Sequence, residues 1–415
     1  MPPPYACSWG SPRREKGANR NRRLIYIACD QRIGAITGAL SLPLPLRKCE
    51  ASEDQHDRRE RERDGFRSEN GALHGTKVSS LLTMAHLQDT FGRVKRDLRI
   101  SLTDRCNLRC SYCMPPEGLP WIPQPEILTD DEIVQVSRIA VAHGITKLRL
   151  TGGEPLLRPN LIDIVGRMSK LAPRPDIALT TNGIGLAHLA APLAAAGLTR
   201  VNVSLDTLQP ERFKELTHRD RFNDVIAGLF AAKATTLAPI KVNSVLMRGV
   251  NDDEAPALLR WAIENDFRLR FIEQMPLDAQ HGWQRETMLT ADQIIEDLSH
   301  DFLLTPLTKG ERGSAPAEEF LVDSGPATVG IIGSVTRPFC ADCDRIRLTA
   351  DGQIRNCLFA TEEDSVREIL RSESADIDER VAAVLFGSVL KKKKGHGIGE
   401  PDFVQPIRPM SAIGG

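Results

Sequence analysis

Thr103-Asp104-Arg105-Cys106-Asn107-Leu108-Arg109-Cys110-Ser111-Tyr112-Cys113-Met114 follows directly on Leu98-Arg99-Ile100-Ser101-Leu102, a short apolar strand pattern broken by one arginine. The C-x₃-C-x₂-C spacing puts three thiols in one short loop, with no fourth cysteine close by. A [4Fe–4S] cluster is usually held by four thiolates, one per iron. Three ligands leave one iron open to a substrate or cofactor, a vacancy for which an electron carrier has no use. Tyr112 is an aromatic able to lie against whatever binds there. The competing readings are three unrelated core thiols, which packing alone permits, and a zinc site. No histidine near Cys106–Cys113 completes a zinc set.

Working outward, a β/α alternation sets in from this strand. Thr129 with Glu132 three positions later is a capping-box signature. It opens a helix with apolar residues at Ile133, Val136, Ile139 and Ala140. Strand patterns follow at Lys147–Thr151, Ile177–Thr181, Val201–Leu205, Ile240–Leu246 and Leu269–Gln274. They run into Gly152-Gly153-Glu154-Pro155, Asn182-Gly183, Asp206, the region of Gly249, and Met275-Pro276. Helical segments such as Leu186–Ala196 and Asn223–Ala232 fill most gaps. Repeated β-then-α order implies parallel strands with right-handed crossovers, and in barrels of this kind the chemistry sits at the C-terminal strand ends. The fold class is therefore α/β. We expect an open, partial (β/α)6 TIM-type barrel over 84–276, then a smaller C-terminal region over 277–415 that carries a second iron–sulfur site.

Composition bounds the function. The chain has 415 residues, with 54 Lys and Arg against 55 Asp and Glu. That balance argues against a nucleic-acid partner. No apolar run is long enough to span a bilayer, and no secretory signal is evident, so a cytoplasmic protein with no membrane partner is expected. Residues 1–83 carry charge runs and little apolar sequence, too little to offset their ordering entropy. They read as a disordered extension or as sequence upstream of a true start at Met84.

Of nine cysteines, six form two triplets, the second being Cys340, Cys343 and Cys357. Cys340-Ala341-Asp342-Cys343 is a C-x₂-C knuckle, and Cys357 lies fourteen residues beyond it. Asp351-Gly352, flanked by polar–apolar alternation, is a hairpin-turn signal that returns Cys357 to Cys343. Zinc with a distant fourth ligand such as His281 or His396 is the rival to an iron–sulfur site here. Arg99 and Arg149 sit inside apolar strands, and a buried cation there calls for an anionic ligand or a structural salt bridge. The run Lys391–Lys394 reads as a solvated face.

With these motifs in place the chain resembles the molybdenum-cofactor biosynthesis protein A family, the radical S-adenosylmethionine (SAM) GTP 3′,8-cyclases. The resemblance runs from about Leu87 to Gly415. It rests on Asp89–Arg93, Leu98–Pro115, Arg149–Leu156, Leu179–Gly183, Val201–Asp206, Phe271–Pro276, the second triplet and the terminal Gly414-Gly415.

The resemblance implies two [4Fe–4S] clusters, one on Cys106, Cys110 and Cys113 and the other on Cys340, Cys343 and Cys357. It implies SAM contacts at Tyr112, Gly153, Ser204 and Met275. GTP contacts are implied at Arg99, Arg149, Thr180, Lys241, Arg345 and Arg347, with Lys147 and Arg270 as further phosphate partners. It implies a catalytic role for Gly414 and Gly415 in assisting hydrogen abstraction. The implied reaction is radical cyclisation of GTP to (8S)-3′,8-cyclo-7,8-dihydroguanosine 5′-triphosphate, the first step of molybdenum cofactor biosynthesis. The implied partners are a flavodoxin- or ferredoxin-type electron donor and the downstream cyclic pyranopterin monophosphate synthase. A homodimer is compatible with the sequence. The alternatives are a peptide-modifying radical SAM enzyme and a zinc-binding interaction module.

Overall fold

The alternation in Leu98-Arg99-Ile100 turns out to be a division between two faces of one sheet. The structure is a computed structural model describing residues 86–307 and 312–414. The expectations for residues 1–83, for Met84 and for Gly415 fall outside the described residues. Six parallel strands form the expected series: β1 (Asp97–Ser101), β2 (Lys147–Thr151), β3 (Asp176–Thr181), β4 (Arg200–Ser204), β5 (Ile240–Leu246) and β6 (Arg268–Glu273). Each lies within one residue of its predicted position at either end. The crossovers carry α1 (Asp130–Ala142), α2 (Leu161–Met168), α3 (Leu186–Ala196), α4 (Pro210–Thr217), α5 (Phe222–Lys233) and α6 (Ala255–Glu264).

Local chemistry sets these elements. The Thr129 hydroxyl accepts from Glu132 N at 3.2 Å, and the Glu132 carboxylate accepts from Thr129 N at 2.7 Å, the capping box that starts α1. Gly197 ends α3 at φ 112°, a backbone angle glycine reaches without a Cβ penalty. On the sheet, Leu98, Ile100, Leu148, Leu150, Leu179, Val201 and Val242 are fully buried in the core. Burying a side chain of this size stabilises by roughly 1.5–3 kcal/mol.

The region after β6 adds to the same sheet. Its strands are β7 (Leu304–Pro306), β8 (Glu318–Val322), β9 (Thr328–Ile332), β10 (Arg345–Leu348), β11 (Gln353–Arg355) and β12 (Asp364–Ser365). β9 pairs parallel with β6, and β10 pairs parallel with β1. The sheet order is β12-β11-β10-β1-β2-β3-β4-β5-β6-β9-β8-β7, so the wall holds eight parallel strands with antiparallel strands at both edges. Among the described residues the two ends do not pair, and the barrel is open.

The predicted hairpin is present. Arg347 faces Arg355 and Leu348 faces Ile354 across β10 and β11, with Gly352 at φ 82° in the turn. One carboxylate ties the additions to the barrel. Glu273, fully buried at the end of β6, accepts from Ala291 N at 2.6 Å, Val335 N at 2.7 Å and Thr336 N at 3.0 Å. Ala291 begins α7 (Ala291–Ser299), so this contact fixes both that helix and the loop leaving β9.

Candidate active site

The second face of the sheet is polar, and its register builds the site. Arg347, Arg99, Arg149, Ala178 and Arg200 are direct neighbours across five strands. A second row runs Thr180, Asn202, Lys241, Arg268, and a third Ser204, Asn243, Arg270, Gly330. A barrel interior of this type is ordinarily filled with branched aliphatic residues; this one is lined with cations and amides. Arg270 is held by Asn243 Oδ1 and Asn202 Oδ1, each accepting at 2.9 Å. Gly330 makes room for it, since a Cβ there would lie 2.9 Å from Arg270 Cγ.

These cations lack enough counter-charge. Burial and the nearby Arg149 push Arg270 down to about 9. Burial, with Arg270 beside it, pushes Lys241 down to about 8. Burial brings Arg347 to about 10, and burial with Arg347 and Arg149 sets Arg99 well below its ordinary value. In the first row Arg200 pairs with Asp176, while Arg149 has Asp97 at 3.7 Å. The buried Nε atoms of Arg99, Arg149 and Arg345 have no hydrogen-bond partner among the described residues. An unpaired buried donor is costly, so the face is arranged for a polyanion.

Above this face stands the first cysteine loop. It packs directly on the turn after β2: Gly153 N donates to Thr103 O at 2.8 Å and Glu154 N to Arg105 O at 2.7 Å. A Cβ on Gly153 would sit 2.3 Å from Arg105 O, so glycine is required for loop packing as well as for any approach of a ligand. Arg109 donates to Cys106 O and Leu108 O, both at 2.8 Å, and Arg109 N donates to Thr217 O at 2.9 Å at the end of α4. Tyr112 OH donates to Asp206 Oδ2 at 2.8 Å, while Asp206 Oδ1 accepts from Val245 N at 2.9 Å.

Burial pushes Asp206 up to about 6. It pushes Glu154 up to about 7 despite contacts from Asn182 N, Thr181 Oγ1 and Leu156 N. Burial likewise raises the thiols of Cys106 and Cys110, and takes Cys113 to about 12.

The second triplet lies across the same cavity, in a field of opposite sign. Lys95 is fully buried; its ammonium donates to Asp89 Oδ2 at 2.9 Å and to Cys343 O at 2.7 Å. Arg93 donates to Cys340 O at 2.6 Å. The opening stretch Asp89–Arg93 thus holds the knuckle, a role that its sequence did not disclose. Lys392 corrects the reading of Lys391–Lys394 as solvated throughout. It is 5% exposed and donates to Arg345 O at 3.3 Å and to Asn356 O. Burial would raise the Cys343 thiol, but Lys392, Arg345 and Lys95 together leave it below its ordinary value.

The tail closes the arrangement. Pro409 precedes a one-turn helix, Met410–Ile413, that packs Ile413 with Leu277, Val335 and Phe359. Ser101 Oγ donates to Ile413 O at 2.9 Å, and Arg347 donates to Gly414 O. Gly414 has φ 81°, and a Cβ on it would lie 2.6 Å from both Ser101 Oγ and Thr151 Cγ2.

One cavity is lined by all six of these cysteines, by Tyr112, Gly153, Ser204 and Met275, and by Arg99, Arg149, Thr180, Arg270, Arg345 and Arg347. Lys147 and Lys241 share the inner-face register but sit nearer the N-terminal strand ends, outside that lining. Gly414 reaches the site through Arg347. All six cysteines are free thiols with partial exposure. The donor set fits iron–sulfur ligation: a cluster takes one thiolate per iron, spread around a cube.

An open parallel α/β barrel with a C-x₃-C-x₂-C loop at its C-terminal mouth is the radical SAM arrangement, and the Radical SAM superfamily model matches residues 100–262. Membership implies a [4Fe–4S] cluster and SAM. The Molybdenum Cofactor Synthesis C model matches residues 267–398. The chain is 63% identical over 330 residues to the GTP 3′,8-cyclase of Streptomyces coelicolor, covering 79% of this chain and 96% of that protein. It is 53% identical over 338 residues to GTP 3′,8-cyclase 2 of Mycobacterium tuberculosis, covering 80% and 93%. The chain belongs to the GTP 3′,8-cyclase family. The peptide-modifying and zinc-module alternatives give way to that membership.

A solved structure of Streptococcus suis SuiB bound to its precursor peptide SuiA aligns with TM-score 0.50 at 14% identity, over 76% of this chain and 70% of that one, a likeness of fold. Among the described residues no helix is long and apolar enough to cross a membrane.

Proposed function

We infer that this chain is a radical SAM GTP 3′,8-cyclase acting in molybdenum cofactor biosynthesis. The observation that carries the assignment of residues is that both cysteine triplets share one cavity with Arg99, Arg149 and Arg345, whose buried Nε atoms have no hydrogen-bond partner among the described residues. We assign Cys106, Cys110 and Cys113 to a first [4Fe–4S] cluster, and Cys340, Cys343 and Cys357 to a second. When bound, the first cluster and SAM supply the radical chemistry, and the protein supplies position and field.

Arg99 and Arg149 offer free Nε–H groups to phosphate oxygens in the fork geometry that suits them. Lys147 and Lys241 extend the phosphate site toward the N-terminal strand ends, and Arg270 adds to it from within the cavity lining. Thr180, Arg345 and Arg347 complete the GTP contacts. Tyr112, Gly153, Ser204 and Met275 bound the SAM pocket, and Asp206 fixes the Tyr112 ring by accepting the hydrogen bond of its hydroxyl. The Gly414-Gly415 tail acts on the reacting centre. Two partners follow from the chemistry: a donor of low-potential electrons, of flavodoxin or ferredoxin type, and the synthase that converts the cyclised product to cyclic pyranopterin monophosphate.

The test is direct. Anaerobically reconstituted protein is given GTP, SAM and a reductant, and the product is identified by mass and by its C3′–C8 bond in NMR. Formation of 5′-deoxyadenosine with no cyclised nucleotide would sink the assignment. Arg149→Ala should weaken GTP binding while leaving the iron content whole.

A further inference from the structure

Between Glu400 and Pro409 the chain has neither strand nor helix; Phe403 packs against Phe359, Pro406 is buried and Gln405 donates to Asp278 O at 2.9 Å, but Ile407, the residue before Arg408, is 93% exposed and Val404 66%. Yet six residues past Arg408 comes Gly414, seated where a Cβ would clash with Ser101 and Thr151. A slip of one residue would drive the side chain of Ile413 into that space. Something must fix the register of the tail, and exposed apolar residues do not.

Arg408 carries the required contacts. Its guanidinium lies between two carboxylates. Nη1 and Nη2 donate to Asp351 at 3.1 and 2.8 Å, and Nε and Nη2 donate to Glu363 at 2.8 and 2.9 Å. Both acceptors are themselves held. Thr349 donates to Asp351 at 2.6 Å in the β10–β11 turn, and Glu363 also pairs with Arg355 of β11. Paired forks of this kind fix direction as well as distance. Two residues on, Met410 N donates to Leu277 O at 3.0 Å and starts the last helix. The clamp therefore ties the tail to the hairpin that carries Arg347, the residue that meets Gly414.

We propose that Arg408, clamped between Asp351 and Glu363, is the positioning residue that sets the register of the tail and so seats Gly414 beside Arg347. It lies outside the lining of the shared cavity, and acts by delivering Gly414 to its place. This rests on the reading above that the tail acts in catalysis.

Arg408→Gln and Arg408→Lys are made in the reconstituted holoenzyme. Hydrogen exchange of peptides covering 409–415 and 345–355 is followed by mass spectrometry. Turnover, GTP dissociation constant and iron content are measured alongside. Arg408→Gln should speed exchange of the 410–414 amides at least tenfold and lower turnover at least tenfold. The hairpin, GTP affinity and iron should stay as in the parent. Arg408→Lys, with a point charge in place of a fork, should fall between. Unchanged tail exchange with turnover within twofold overturns the proposal. So does loss of turnover together with iron or hairpin protection, which makes Arg408 a brace for the hairpin. Glu363→Gln removes one arm only and should loosen the tail less; an effect on the hairpin alone counts against the proposal. If a chain lacking Gly414-Gly415 turns over normally, the catalytic reading of the tail fails, while the exchange measurement still judges the anchor.

Discussion

Replacing Gly153 by alanine places one methyl group 2.3 Å from Arg105 O and 2.5 Å from Asp104 O. Carbon contacts are comfortable at about 3.5–4.0 Å, so the cysteine loop has to retreat by roughly an ångström. Both obstacles are backbone, and no rotamer relieves them. Retreat stretches the Gly153 N to Thr103 O and Glu154 N to Arg105 O bonds, now 2.8 and 2.7 Å, past useful range. Two backbone hydrogen bonds at about 1 kcal/mol each, with an overpacking cost of about 1–3 kcal/mol, sum to about 3–5 kcal/mol. The barrel beneath is unaffected, so the penalty falls on the loop. By the rule that 1.4 kcal/mol is tenfold, the ligand-ready loop loses about a hundredfold to several thousandfold in population. Anaerobic iron and sulfide analysis should show about half the parent iron, because one [4Fe–4S] set is lost. Amides of 104–114 should exchange faster. Gly166→Ala is the control: nothing lies within 4 Å of its added Cβ, and in the middle of α2 it should stabilise by about 0.5–1 kcal/mol. Full iron and parent exchange in Gly153→Ala would refute the packing argument.

The triple change Cys106→Ala, Cys110→Ala, Cys113→Ala should likewise halve the iron, and complete loss would mean that the two triplets form one site. Deleting Gly414-Gly415 should leave iron content and GTP affinity intact but block conversion, the pattern of a group acting in the transition state; a normal product yield removes the tail from catalysis. Lys241 is pushed down to about 8 in the free protein, and a bound polyanion should raise it again, so binding takes up a proton above that pH. GTP affinity should therefore fall as pH rises through about 8, and Lys241→Met should flatten that step in a calorimetric titration. Without ligand the sign differs: between about 8 and 10.5 the unfolded chain binds more protons at this group, so its contribution to stability rises with pH.

The six-strand series was legible because each strand repeats one local pattern, apolar residues at alternate positions and a polar residue where it ends. Arg99 and Arg149 were legible for the same reason, since period two places them opposite the core. What local sequence withheld was pairing. Nothing near Arg345 tells that β10 lies beside β1, or near Thr328 that β9 lies beside β6, because those partners are remote in the chain. Lys392 was hidden by its company. Four consecutive lysines read as surface, and only the carbonyls of Arg345 and Asn356 draw one of them inside. Lys95 was hidden too, because its partner Asp89 and its target Cys343 become neighbours only when the knuckle is docked. Gly153, a SAM contact on the family resemblance, meets a second demand that the local sequence did not show: an added Cβ would run into Arg105 O of the cysteine loop.

The pairing of β1 with β10 also sets a timetable. Arg93 and Cys340 are 247 residues apart in the chain, and Ser101 and Ile413 are 312. Chains emerge at roughly 5–20 residues per second, so β1 waits on the order of ten seconds or more for its neighbour. Contacts of such sequence separation are slow to form, and a waiting strand edge invites pairing with another chain. β1 is five residues long and carries Arg99 toward the interior, which are the traits that discourage such pairing. The cation that lines the cavity in the finished fold is also, by this rule, the kind of residue that discourages pairing at an uncovered edge. The first cysteine loop also stands complete before the second triplet exists. On the two-cluster reading proposed above, iron would reach the first loop before the second triplet has been made.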